Sequence, residues 1–139
     1  MKRKFFKIVA YSFAVVVMAV AIDLAYAGNT KNEVMIKKPD GTYIVNTTTI
    51  AGNVKGYKGA TPLMIYIKKD KVVKIEALQN METPRYFDRV KQLILNSWDG
   101  MQTSKAAKKS IDCVAGATLS SNAVIETVKL GFKYYKENK

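Results

Sequence analysis

The sequence predicts an α+β domain, a small antiparallel sheet with two main helices packed on it, preceded by an N-terminal hydrophobic signal segment. Three observations predict it. Thr42–Ile50 and Leu63–Leu78 are rich in Thr, Val, Ile and Tyr and are bounded by turn residues, as strands are. Two later stretches, from Thr83 and from Asn122, change to helical spacing. Strands first and helices after them form segregated layers.

The N-terminus comes first. "MKRKFFK" is basic, Ile8–Ile22 is apolar, and Ala25-Tyr26-Ala27 places small residues where a leader is cut. That order is the order of a secretory signal peptide. The apolar run of 15 residues is short for a membrane span, which needs roughly 20. Asp23 is awkward beside a cleavage site, so an uncleaved membrane anchor is the alternative. Either way the basic end stays inside, and the rest is exported to the periplasm or the outer face of the cytoplasmic membrane. Residues 1–27 are thus a signal peptide or anchor, residues 28–39 a polar tether, and residues 40–139 one domain.

The 139 residues carry a formal charge of +12. Removing residues 1–27 takes away four positive charges and one negative, leaving +9. No arginine run interleaved with aromatics appears, so nucleic acid is not an expected partner. A basic exported domain faces anionic headgroups or an acidic protein, or simply solvates its lysines. Histidine is absent and Cys113 is the one cysteine. That excludes an intrachain disulfide, a Cys/His zinc site, an iron–sulfur ligand set, a haem attachment motif and a histidine-based triad. No metal site is expected, and redox work would need an organic cofactor. Cys113 reads as a small buried filler.

In the domain, Pro39-Asp40-Gly41 is a turn leading into the strand Thr42–Ile50. Ala51–Pro62 is a loop with three glycines. Leu63–Lys68, a turn at Lys69-Asp70-Lys71, and Val72–Leu78 read as a hairpin. Thr83 can cap a helix whose first turn takes Pro84. Tyr86, Val90, Leu93, Ile94 and Trp98 then share a face, with Trp98 in the core, and Gly100 stops the helix. Gln102–Lys109 is a loop or a short helix. The last helix, Asn122–Tyr135, turns Val124, Val128, Gly131 and Tyr135 to one side, with Ile125 and Phe132 beside them.

"DCVAGATLSS", Asp112–Ser121, precedes that helix. The first N–H groups of a helix lack internal partners and carry partial positive charge. A phosphate on or beside Thr118 would meet them, Gly116 and Ala117 would let the backbone come close, and Ser120 and Ser121 could add hydroxyls. Taken by itself the stretch suits either an anion site or a well-capped helix after a glycine turn.

The same stretch resembles the covalent flavinylation motif D-x-x-[ST]-G-A-T of the FMN-binding domain family, which includes the C subunit of the sodium-pumping NADH:quinone oxidoreductase and the G subunit of the Rnf complex. Asp40–Tyr43, Val54–Gly59, Ile67–Leu78 and Asn80–Val90 ("NMETPRYFDRV") resemble further family segments in the same order. The resemblance covers about Asp40–Tyr135. It implies FMN held through a phosphoester to Thr118, installed from FAD by a flavin transferase using magnesium, with Asp112 as the motif aspartate. It implies an electron carrier rather than a complete enzyme, working between a membrane electron-transport complex and an extracytoplasmic redox partner.

By the same resemblance, Gly116, Ala117, Leu119, Ser120 and Ser121 would hold the phosphate. Tyr57 and Gly59 would lie along the ring or ribityl chain, and Glu82, Thr83 and Pro84 would shape the pocket. Glu82 is alternatively a solvated carboxylate before a helix. Lys108 or Lys109 adds charge near the phosphate or is plain surface. The chain departs from the pattern at Ala115, where Ser or Thr is usual, and at Arg85 and Phe87, where glycines are common. Arg85 could place a cation near the flavin, and Tyr86 or Phe87 a stacking surface. Ala115 favours the alternative, a non-redox binding module that keeps the fold without flavin.

Overall fold

Leu63, Ile65 and Ile67 alternate with Met64, Tyr66 and Lys68, and this period of two builds the central strand of the sheet. The structure, a computed structural model, describes residues 33–139. The signal or anchor segment and the start of the tether lie outside the described residues. Four strands, β1 (Met35–Lys37), β2 (Tyr43–Asn46), β3 (Leu63–Lys68) and β4 (Lys71–Ala77), run in the order β1-β2-β3-β4, and every neighbouring pair is antiparallel. β1 falls inside the stretch read as a tether: Met35–Lys37 line up with Val45–Tyr43 across the Pro39-Asp40-Gly41 turn. β2 stops at Asn46, short of the expected Ile50. Thr47 extends the pairing by side chain, its Oγ1 accepting from the Leu63 N–H at 2.8 Å.

The β3–β4 turn is the two residues Lys69 and Asp70, both at positive φ, as a tight hairpin requires. A bulge opposite Tyr66/Ile67 skips Val73, so Val72 and Ile75 both face inward while Val73 is exposed. Three helices follow: α1 (Pro84–Ile94), which tightens into a 3-10 turn at Leu95–Trp98, the short α2 (Thr103–Ala106), and α3 (Thr118–Asn138). Helix α1 starts where Thr83 and Pro84 predict, but its buried stripe is Phe87, Val90 and Ile94. Tyr86 and Leu93, expected on that face, are exposed. Positions 86/90/93 and 87/90/94 fit one helical face equally well, and packing selects the second. Trp98 is in the core, 1% exposed.

Helix α3 packs on β2, β3 and α1. Its inner side carries Val124, Val128, Gly131, Phe132 and Tyr135, as the spacing predicts. Gly131 seats it: a Cβ there would lie 2.3 Å from Ile65 Cδ1 and 3.3 Å from Thr47 Cγ2. At the far end the Tyr135 hydroxyl donates to Asp70 Oδ1 at 2.7 Å, Lys139 Nζ donates to the same oxygen at 2.6 Å, and the Tyr43 ring meets Tyr135 edge-on at 5.3 Å. Cys113 is exposed, its Sγ 3.1 Å from Asn122 Oδ1. This corrects the buried-filler reading, since Val114 is the residue of that segment that turns inward.

Candidate functional site

The loop with three glycines closes on itself before it meets anything else. Lys55 bridges to Ala60, and the Gly56 N–H donates to the Gly59 carbonyl at 2.7 Å. That bend turns three successive N–H groups, of Tyr57, Lys58 and Gly59, onto one carboxylate, Glu82, at 3.1, 2.7 and 3.1 Å. Such a run of amides is an anion nest, and here a side chain of the same chain fills it. Gly56 is required, because a Cβ would stand 2.8 Å from Glu82 Oε2. Asn80 shapes the approach, its Oδ1 accepting from the Glu82 N–H at 3.0 Å.

Glu82 also accepts a short hydrogen bond from the Ser120 hydroxyl, in the first turn of α3. The carboxylate is 5% exposed. Burial pushes its pKa up, but the hydrogen bonds from Ser120 and from the N–H groups of Lys58, Tyr57 and Gly59 outweigh it and hold the carboxyl below its ordinary value. One ionised side chain thus ties the glycine loop, the segment before α1 and the start of α3 together.

Helix α3 begins at Thr118, four residues before the Asn122 start that the spacing suggests. Its N-cap is Ala117, and no side chain caps it. Ala115-Gly116 makes the preceding turn with Gly116 at φ +79°. Ser121 is buried. Its hydroxyl donates to the Ala117 carbonyl at 2.7 Å and accepts from the Val114 N–H at 3.0 Å. The sequence leaves either an anion site or a well-capped helix open at this point. The structure spends the nearby hydroxyls on holding the turn and leaves the helix start open.

A cleft of about 430 Å³ lies over that start, lined by Tyr57, Glu82, Thr83, Tyr86 and Gly116–Ser120. The size is that of an ordinary ligand pocket. Thr118 is exposed on its wall. Tyr57, Tyr86 and Leu119 line it with apolar surface while being 69%, 45% and 57% exposed. An uncovered aromatic rim beside unfilled backbone donors can take a flat ring at one end and an anion at the other.

The twelve expected site residues therefore split into clear groups. Thr118, Gly116, Ala117, Leu119, Ser120, Tyr57, Glu82 and Thr83 come together around one cleft. Ser121 does not reach it, which corrects its expected part in holding phosphate. Gly59 serves the nest, giving its N–H to Glu82 rather than lining the cleft. Pro84 faces a neighbouring shallow pocket with Phe87 and Lys91. Asp112 is exposed outside the cleft. Phe87 is core, and Lys109 donates to the Ser97 carbonyl at 2.6 Å, so neither serves the cleft. Tyr86, which the sequence offers both as part of the core stripe and as a stacking surface, lines the cleft, while Gly56 and Asn80 act through Glu82, a partner that local spacing does not mark.

Among the described residues no cluster of acidic, histidine or cysteine side chains could hold a metal ion, and no helix is long and apolar enough to cross a membrane. The model of the FMN-binding domain family matches residues 56–133, which begins at the glycine loop and ends inside α3, taking in the whole cleft. Neither the curated proteins nor the solved structures yield a match to the chain.

Proposed function

The chain belongs to the FMN-binding domain family, with FMN as its cofactor, and from that premise we propose that it is an exported electron carrier whose FMN is joined to Thr118 through a phosphoester. The observation that carries this reading is the exposed Thr118, at an uncapped helix start and on the wall of a cleft edged by exposed tyrosines. The donor set fits the cofactor. The N–H groups of the first turn of α3 suit phosphate oxygens, and Tyr57, Tyr86 and Leu119 suit a flat apolar ring.

FMN, when bound, supplies reversible electron uptake at its ring; the protein supplies attachment, orientation and electrostatics. Thr118 Oγ would take the FMN phosphoryl group from FAD, its proton passing to water as the phosphoanhydride bond to AMP breaks and AMP leaves. A flavin transferase with magnesium catalyses that exchange. Glu82 keeps the loop that bears Tyr57 against the helix start, and so fixes the width of the cleft. Attachment suits an exported carrier, because no pool of free FMN refills a site outside the cytoplasm. The electrons pass between a membrane electron-transport complex and an extracytoplasmic partner.

The test is co-expression of the full chain with a flavin transferase, followed by denaturation. Ultraviolet fluorescence should stay with the chain and its mass should rise by one FMN residue, both lost in Thr118→Ala. A chain that gains no mass beside an active transferase fits instead a binding module without flavin, the reading that Ala115 favours.

A further inference from the structure

The molecule has a second cleft, larger than the first, at about 560 Å³. It lies between α2 and the C-terminal half of α3, and Lys108, Lys129, Lys133, Lys136 and Lys139 line it. Lys129, Lys133 and Lys136 stand at i, i+4 and i+7, a single face of α3. All five lysines are exposed. Asp70 is the one acidic residue of the lining, and it is already engaged by Tyr135 and Lys139. Among the described residues no carboxylate pairs with Lys108, Lys129, Lys133 or Lys136. A helix end favours one or two lysines in its last turn. This row starts earlier, at Lys129, and is joined from another helix by Lys108, so the helix end does not account for it.

The uncharged part of the lining has the same character. Thr103 and Ser104 bring hydroxyls and Gln102 an amide, all able to donate to phosphate oxygens. Measured along α3 at 1.5 Å per residue, Lys129–Lys136 stand about 16–27 Å from Thr118. The cleft is thus a site apart from the flavin cleft and does not depend on what the flavin cleft holds.

We infer that this lysine-lined cleft seats the phosphate headgroups of anionic lipids, and that it sets the domain on a membrane surface with the Thr118 end turned away. Two features favour lipid as the occupant. The cleft combines unpaired cations with neutral donors, the complement of a phosphate ester. Ten residues, Asp23–Asn32, lie between the apolar stretch ending at Ile22 and Glu33, so a membrane-held leader keeps the domain within about 40 Å of headgroups. If the leader is cleaved, the cleft is the remaining hold.

The full chain is tested by sedimentation with phosphatidylcholine vesicles and with vesicles that also contain phosphatidylglycerol. The triple variant Lys129→Gln, Lys133→Gln, Lys136→Gln is compared with Lys55→Gln, Lys58→Gln, Arg89→Gln, which removes the same charge from exposed side chains outside the cleft. The leader is identical in all three proteins and cancels. Each lysine at an anionic surface is worth roughly a fivefold change in binding, so the cleft variant should lose about a hundredfold of the phosphatidylglycerol-dependent affinity. The control should lose only a few-fold, because screening confines the effect to charges near the surface. Equal losses in the two variants, or none in either, overturn the proposal. So does retention by inorganic pyrophosphate or by polyglutamate that is abolished in the cleft variant while anionic vesicles do not bind, since the occupant would then be a free phosphate or an acidic protein.

Discussion

The two ends of helix α3 obey opposite rules. At the C-terminal end the inward-facing groups are tied down: Tyr135 bonds to Asp70, Lys139 bonds to the same carboxylate, and Tyr43 packs on the Tyr135 ring. Those hydrogen bonds hold the Asp70 carboxyl below its usual range, while burial and Asp70 push the Tyr135 phenol well up. At the N-terminal end Ala117 caps nothing, and Ser120 and Ser121 are turned away to Glu82 and to the chain before the helix. Thr118 is left exposed at the first position. The difference shows that binding capacity lies in what a stable end would have satisfied. The open end is affordable only because Glu82 braces it from the side.

Removing that brace should have the largest effect. Glu82→Ala strands three N–H groups and the Ser120 hydroxyl, and urea titration should show a loss of about 3 kcal/mol. Its ionisation gives a pH signature of the same sign. The folded carboxyl is held below its unfolded value, so the stability it contributes is complete above about pH 4.3 and is lost as pH falls through the lowered folded value. Between pH 6 and pH 3 the unfolding free energy of Glu82→Gln should therefore fall less steeply than that of the unaltered chain. An unchanged acid limb would break the assignment.

The well-tied end should respond more mildly. Tyr135→Phe removes one hydrogen bond while Lys139 keeps Asp70 engaged, and should cost about 1 kcal/mol in the same titration. The smallest change in stability belongs to the residue with the greatest functional weight. Thr118→Ala, exposed and uninvolved in capping, should shift unfolding by less than about 0.5 kcal/mol while abolishing the FMN mass gain. Thr118→Ser should keep it. A Thr118→Ala variant that unfolds easily would show that the helix start is structural after all.

Sequence periodicity revealed β2, β3, β4, the hairpin turn, the start of α1 and the inner side of α3, because each rests on neighbours a few residues apart; the three-residue β1 was too short to stand out from the tether. It misled where two phases were equally good, as with Tyr86 and Phe87, and where one bulge at Val73 changed the phase of β4. The local spacing left both an anion site and a well-capped helix open at Thr118. It could not reveal that the Ser120 hydroxyl belongs to Glu82, 38 residues earlier, nor that the glycine loop exists to grip that carboxylate. Charge counting found a basic domain, but only the fold gathers Lys108 with Lys129, Lys133 and Lys136 around one hollow.

The filled nest has one more consequence. Two backbone sites attractive to anions adjoin in this molecule, the glycine loop and the head of α3, and the chain has stoppered the first with its own Glu82. On the proposed function, a visitor with a phosphate at one end and a ring at the other would then find one anion seat open, at the head of α3, with the exposed tyrosines left to its ring.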